Sequence, residues 1–561
     1  MTETRVATSL FFVLLAAPTI RGAGDPPIDD VLRASLGRIA PSVRAHVEFL
    51  ADDLLEGRKP GTRGYDLAAR YVASQLAALG VSPAGEGGTY FQAVPLLESR
   101  LTLGTVSVLA PSGTPVGLVY REDFLMSGNL LRTESHVEAP VVFVGFGVTA
   151  PEQGHDDYAK VDVKGKIVAI LRGAPARFPS EQRAHFSSSR LKAQNAARHG
   201  AVGILAFATP EGEKVYPFER VVQGFQGTAV DWMHPDGRPE GAVPEIRVGA
   251  ILSPAGARKL FAASPVTLEK VFERAAAGRP QAFLLGVSVA LVSRSEHRRL
   301  QSANVVGRLA GSDEALANTS VVLSAHLDHE GVGAEVNGDT IYNGAYDNAA
   351  GTAVVLEVAR VLAGLEKAPK RSVLFLFVTA EEDGLLGSDY FAQRPVKDAG
   401  TMVANVNIDM PLFLFPLADL VAFGSENSTL DRPTARAAEC AGLALGPDPW
   451  PEQTIFIRSD QYSFVRQGIP AVFLVTGTRS ADPAVDGSAA LGDFLAQHYH
   501  QPSDDLRLAM NPDAISSFVR ASVLLTHALA QDPEAPRWKP GNFFGRTFGR
   551  QSGPKRGQAS N

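Results

Sequence analysis

Seven side chains of metal-ligand type stand in or beside the places where strand-like runs end and helix-like runs begin. In SAHLDHEGVGAEVNGDTIYNGAYDNAAGTA, from Ser324 to Ala353, His326 and Asp328 follow the apolar run Val321, Val322, Leu323, and Asp347 precedes a helical pattern. Glu381 and Glu382 then follow SVLFLFVTA, Asp409 follows MVANVNI, and His500 lies in HYHQPSDD. Imidazole and carboxylate donors suit zinc. With one cysteine in the chain, a closed thiolate site is disfavoured and a catalytic one favoured. Two histidines and three carboxylates exceed the needs of one tetrahedral ion, whereas two ions sharing a bridging carboxylate account for the number. Such a pair, roughly 3.5–4 Å apart, can hold a bridging hydroxide and polarise a carbonyl. A further carboxylate must then move a proton from that water to the leaving amine.

The elements that position these residues read as alternating strands and helices from Ala303: NVVGRL, SVVLSAH, the helix NAAGTAVVLEVARVLAGL, SVLFLFVTA, VANVNIDM, PAVFLVTG and the helix AISSFVRASVLLTHALA. That alternation predicts an α/β fold, doubly wound around a largely parallel central sheet with flanking helices. Ligands in such sheets bind outside the carboxyl ends of the strands. His326, Glu381, Glu382 and Asp409 each end a predicted strand, so the fold rule sends them to one edge.

At 561 residues the chain is too long for one core. Its composition, 45% hydrophobic and 20% charged, is that of a globular protein, and the net charge of −7 gives no support for nucleic-acid binding. Residues 1–24 read as a secretory signal: Arg5, the apolar ATSLFFVLLAA, then Gly22, Ala23 and Gly24. The expected location is therefore secreted or periplasmic, with no membrane attachment after cleavage. Residues 25–136 read as the first part of the catalytic unit. VRAHVEFLADDLLEG is expected to be one helix stopped by Gly57, and YDLAARYVASQLAALG another ending on Gly80. Residues 137–285 read as a separate β-rich unit, 286–530 as the catalytic unit proper, and 531–561 as a disordered tail. Cys440 is expected to be buried as a small apolar residue.

On these residues the chain resembles the co-catalytic di-zinc exopeptidases, the family of bacterial leucyl aminopeptidases, glutamate carboxypeptidase and transferrin receptor. EFLADDLLEGRKPGTRGYDLAARYVASQLAALGVSPAG resembles the family's N-terminal helices, and residues 137–285 its inserted protease-associated domain. The resemblance implies two Zn2+ per chain. His326 and Asp409 would hold one ion, Glu382 and His500 the other, with Asp347 bridging. Glu381 would be the general base, and Asp328 would hold the His326 ring through its far nitrogen. Tyr499 would hydrogen-bond the tetrahedral intermediate. The family's YHxPxD pattern selects His500 over His498, and His329 is likewise set aside. The peptide between Asp347 and Asn348 is expected to be cis. Gln461 stands where many members carry a histidine, and after Asp409 the apolar MPLFLFPL replaces a glycine-containing turn and is read as a buried strand.

The function this implies is an exported zinc aminopeptidase acting on peptides. A carboxypeptidase for C-terminal acidic residues would need a carboxylate-gripping arginine cluster, with Arg458 and Arg466 as candidates. A glutaminyl cyclase would use a single zinc. A receptor-like binding module would have lost its ligands, which are all present here.

Overall fold

The structure, a computed structural model, describes residues 26–111 and 113–549. The expected signal in residues 1–24 lies outside them. Four parallel strands form the heart of the molecule, in the order Ala471–Thr476, Thr401–Ile408, Thr319–His326, Ser372–Val378. Antiparallel neighbours flank them: Asp419–Phe423 on one side and the second half of the long strand Phe283–Leu309 on the other. This is the expected α/β fold with a largely parallel sheet.

Both faces of that sheet are covered, as a parallel sheet requires. Side chains alternate across it with period two. Val321, Leu323 and Ala325 face one core with Val373, Phe375 and Phe377, while Val322, Leu374, Leu376 and Val378 face the other. Helices Pro26–Leu50, Gly351–Ala363 and Pro512–Gln531 pack together on the first face. Phe391 and Phe464, from helices Leu386–Gln393 and Gln461–Arg466, fill the second.

Through the strand Phe283–Leu309 the same sheet continues into a second lobe, that of the insert. Its first half pairs with Glu134–Phe143, and the parallel strands Ile167–Leu171, Gly203–Phe207 and Val248–Leu252 follow. Along nearly its whole length it pairs with Phe91–Leu109, so a two-stranded ribbon joins the inserted unit to the catalytic sheet. Phe124 and Leu125, upstream of residue 137, close the edge of the sheet against Val248–Leu252.

Four expectations need correction. The first helix stops at Leu50 rather than Gly57, because Asp52 accepts from the Leu54 N–H and starts a short 3-10 segment, Asp53–Arg58. The residues after Asp409 are buried but form no strand: Leu412, Phe413 and Phe415 turn into the first core. Cys440 is exposed at the end of helix Asp431–Cys440. Finally, residues 532–549 are not disordered. A short helix, Phe543–Phe548, buries Phe543 and Phe544, and the Trp538 indole donates to the Gly468 carbonyl oxygen at 3.0 Å. Isolated aromatic residues in a Gly- and Pro-rich segment anchor it one side chain at a time. Among the described residues no helix is long and apolar enough to cross a membrane.

Candidate metal centre

His326 is the last residue of a central strand, and Asp409 follows the neighbouring one. Glu381 and Glu382 lie just beyond Ser372–Val378, where Ala380 turns the chain with φ 54. Asp347 enters from the π-type turn Ala345–Ala350 ahead of helix Gly351–Ala363, and the Asp347–Asn348 peptide is cis. His500 comes from the loop after helix Gly487–Gln497, at φ 55. The structure thus brings all six residues to one edge.

Their geometry is that of two facing half-sites. His326 Nε2 lies 3.2 Å from Asp347 Oδ1 and 3.1 Å from Asp409 Oδ1. His500 Nε2 lies 3.3 Å from Asp347 Oδ2 and 3.1 Å from Glu382 Oε2. Each oxygen of Asp347 therefore addresses a different histidine. Donor atoms of His326, Glu381 and Asp409 also gather within metal-binding range, as do those of His326, Asp347 and Glu382. The buried Nε2 of His500 has no hydrogen-bond partner, although carboxylate oxygens surround it. An orphaned donor nitrogen among carboxylates fits a divalent cation, and an N/O donor set fits zinc.

The electrostatics agree with that fit. Burial, together with the charges of Asp409, Glu382 and Asp460, pushes the Glu381 carboxyl well above the usual range. Burial also opposes ionisation of Asp347, yet its contacts to His326 and His500 hold it well below the ordinary value. Glu382 is drawn down to about 2: burial and Asp347 work against this, while His500 and His329 outweigh them. Four carboxylates around two imidazoles form a buried excess of negative charge that cations would balance.

Supporting contacts fix the candidate ligands. Ser459 Oγ donates to Asp409 Oδ2 at 2.6 Å, and Thr352 Oγ1 donates to the His326 carbonyl oxygen at 2.9 Å. Asp504 accepts the N–H groups of Tyr346 and Asp347, at 2.9 and 3.0 Å. The Asn348 amide joins the Asp347 corner to the Asp409 corner, donating to the Ile408 carbonyl oxygen and accepting from the Gly351 and Met410 N–H groups. A Cβ at Gly351 would collide with the Asn348 side chain, so this turn needs glycine. Arg58, fully buried behind the centre, donates to the carbonyl oxygens of Leu50, Leu327, Asn343 and Gly344.

Asp328 differs from expectation. Its carboxylate lies 4.0 Å from His326 Nδ1, which sits closer, at 3.2 Å, to the main-chain oxygen of Asp328. The carboxylate instead accepts the N–H groups of Glu381 and Glu382, at 3.2 and 3.3 Å, and so holds that corner. His329, set aside on sequence, belongs to the centre: its Nδ1 lies 2.7 Å from Glu382 Oε1. His498 remains outside, bonded to Ser503. Gln461 is buried and donates to the Phe456 carbonyl oxygen. The Tyr499 ring packs 3.9 Å from that of His500, and its hydroxyl accepts from Arg458 at 2.8 Å. Arg458 also reaches Tyr216 of the inserted unit, and Arg220 donates to the Leu495 carbonyl oxygen at 2.6 Å, so the insert borders the centre.

Residues 304–525 match Peptidase family M28, and residues 137–240 match the PA domain. The chain is 26% identical over 437 residues to "Aminopeptidase NAALADL1" of Rattus norvegicus, covering 66% of this chain and 50% of that relative. It is 28% identical over 247 residues to "Probable leucine aminopeptidase 2" of Aspergillus fumigatus, covering 42% of this chain and 46% of that relative. Among solved structures, "Aminopeptidase from Aneurinibacillus sp. strain AM-1" is 21% identical and covers 91% of this chain and 97% of its own, with a TM-score of 0.51; that likeness supports the fold alone. The chain spans about half the length, or less, of the curated relatives it matches. Its catalytic unit is thus of peptidase family M28 over residues 304–525, and its insert carries a PA domain over residues 137–240.

Proposed function

We propose that this M28 peptidase is an aminopeptidase that binds two zinc ions and removes N-terminal residues from peptides. The observation that carries the reading is the pair of Asp347 oxygens, each turned to a different histidine. His326, Asp409 and Asp347 would hold one ion, and Glu382, His500 and Asp347 the other. When bound, zinc supplies Lewis acidity for the scissile carbonyl and lowers the pKa of the attacking water.

The chain's own residues supply the rest. Glu381 takes the proton of the attacking water and passes it to the leaving amine, a role suited to a carboxyl whose affinity for protons is raised by burial. Tyr499, held by Arg458, offers its hydroxyl beside the centre for the developing oxyanion. The PA domain borders the cleft through Tyr216 and Arg220 and would restrict large substrates. Export would follow from the signal-like residues 1–24, and N-terminal sequencing of the mature protein tests it.

A carboxypeptidase acting on acidic C-termini is less well supported. Arg466 is taken up by Asp389 at 2.8 Å, and Arg458 is shared between two tyrosines. The deciding experiment compares free and N-acetylated peptides with zinc-loaded protein. Cleavage of free N-termini alone, with two zinc ions per chain, supports the aminopeptidase. Equal cleavage of blocked peptides would transfer the assignment to the carboxypeptidase, and a single ion per chain to the cyclase.

A further inference from the structure

Glu330 borders the centre: a donor atom of its carboxylate lies within metal-binding range of Glu382 and His500, yet none of the roles given above uses it. Its Oε1 lies 3.5 Å from Nδ1 of His500, while Nε2 of the same ring faces Asp347 and Glu382. One nitrogen of the ring is turned to the ligand carboxylates and the other to Glu330.

His500 needs such a partner more than His326 does. The His326 side chain is 1% exposed at the end of a central strand, and its Nδ1 has the Asp328 main-chain oxygen at 3.2 Å. The His500 side chain is 33% exposed and comes from a loop. Glu330, by contrast, extends from a tightly fixed corner. His329, just before it, bonds Glu382 through its ring and donates its N–H to the Arg58 carbonyl oxygen at 3.4 Å. Gly331, just after it, lies so close to the N-terminal segment that a Cβ there would sit 2.6 Å from the Lys59 Cβ.

We propose that Glu330 is a positioning residue for His500. Its carboxylate, 3.5 Å from Nδ1, would accept that proton on closing the gap, fixing the tautomer that leaves the Nε2 lone pair free for a cation. Residues 328–330 then support the centre one after another: Asp328 the Glu381–Glu382 corner, His329 the Glu382 carboxylate, Glu330 the His500 ring.

This inference rests on the zinc reading, and one experiment separates the two. The full chain, as wild type, E330Q, E330A and H500A, is titrated with zinc against a chromophoric chelator. The His500 ring N–H is followed by nitrogen-15 NMR in the zinc-loaded protein. In E330A, one of two zinc equivalents should weaken about 10–100-fold. It should be the equivalent that H500A loses, and the His500 ring proton should lose its protection from exchange. E330Q, whose amide oxygen still accepts, should fall between. Unchanged zinc affinity and ring-proton signal in E330A, or equal weakening of both equivalents, would overturn the positioning role alone. Wild-type protein that takes up no zinc would overturn the zinc reading and this inference together.

Discussion

Among the described residues, two of the buried groups of ionisable side chains meet the cost of burial differently. At the edge of the catalytic sheet, Asp347 and Glu382 are held ionised by the imidazoles around them. Where the PA domain meets the catalytic unit, burial suppresses charge instead. Glu181 is pushed up to about 8 by burial and by Glu426, although it accepts hydrogen bonds from the Gly424 N–H and the Asn427 amide. His185 is pulled down to about 4 by burial, with Arg466 adding to the effect, and it bonds the Tyr462 hydroxyl at 2.6 Å inside a cage of Phe186, Phe543, Phe544 and Phe548. A shifted titration therefore does not mark a reactive site by itself. What sets the first group apart is that donors from five separate chain segments converge with lone pairs turned inward, whereas the second pairs each polar group with a neutral partner.

Substitutions at the two groups should accordingly be read out in different observables. The largest effect is expected from Asp347→Ala, which removes the carboxylate common to both half-sites. On the two-ion proposal, zinc content should fall from two ions per chain toward none and hydrolysis should disappear; unchanged zinc content would refute the bridging role. Glu381→Gln should lower kcat by about 10²–10⁴-fold while zinc content holds. Loss of metal in that variant would make Glu381 a ligand rather than the base.

At the PA interface the readout moves from rate to stability. Phe544→Ala, at a fully buried position, should cost about 3–5 kcal/mol in urea unfolding, with kcat/KM per folded molecule nearly unchanged. Full stability in that variant would show that the C-terminal helix contributes nothing to holding the insert.

The smallest effect is a pH dependence. The folded-state pKa of Glu181 lies above its ordinary 4.5, so between 4.5 and about 8 the folded chain binds the extra proton and stability falls as pH rises. Melting temperatures at pH 5 and pH 8 should differ more in wild type than in Glu181→Gln. Equal differences in the two proteins would place the charge elsewhere.

The catalytic sheet was legible, and with it the place of His326, Glu381, Glu382 and Asp409, because each stands at the end of a dense apolar run, where a buried strand must stop and a loop must begin; Asp347 and His500 instead stand in a turn ahead of a helix and in a loop after one. The supporting contacts were not, since most of them involve the main chain. Nothing in the spelling of Arg58 says that it serves four carbonyl groups, nor that the Asp328 carboxylate caps two N–H groups instead of a ring. His329 looked redundant beside His326, and only the turn of the chain after that strand brings its ring to Glu382. Asp504 did leave a trace: it is the final residue of the YHxPxD pattern. The C-terminal segment was misread because its aromatic residues follow no periodicity. Trp538 bonds the Gly468 carbonyl oxygen while Phe543 and Phe544 pack around His185, and helical or strand spacing carries no sign of contacts of that kind.

The ribbon between the two lobes also bears on how the chain comes together. Its rung nearest the insert joins Leu109 to Ser288, so the strands of the PA domain leave the ribosome before the second half of the ribbon exists. Closing so long a loop in an unstructured chain is entropically costly and slow. An insert that collapses first would bring the two ribbon strands closer together and shorten the effective loop. The PA domain would then act as a folding template for the catalytic sheet, and pulse-labelled hydrogen exchange should find Ile167–Leu171 and Gly203–Phe207 protected before Phe91–Leu109.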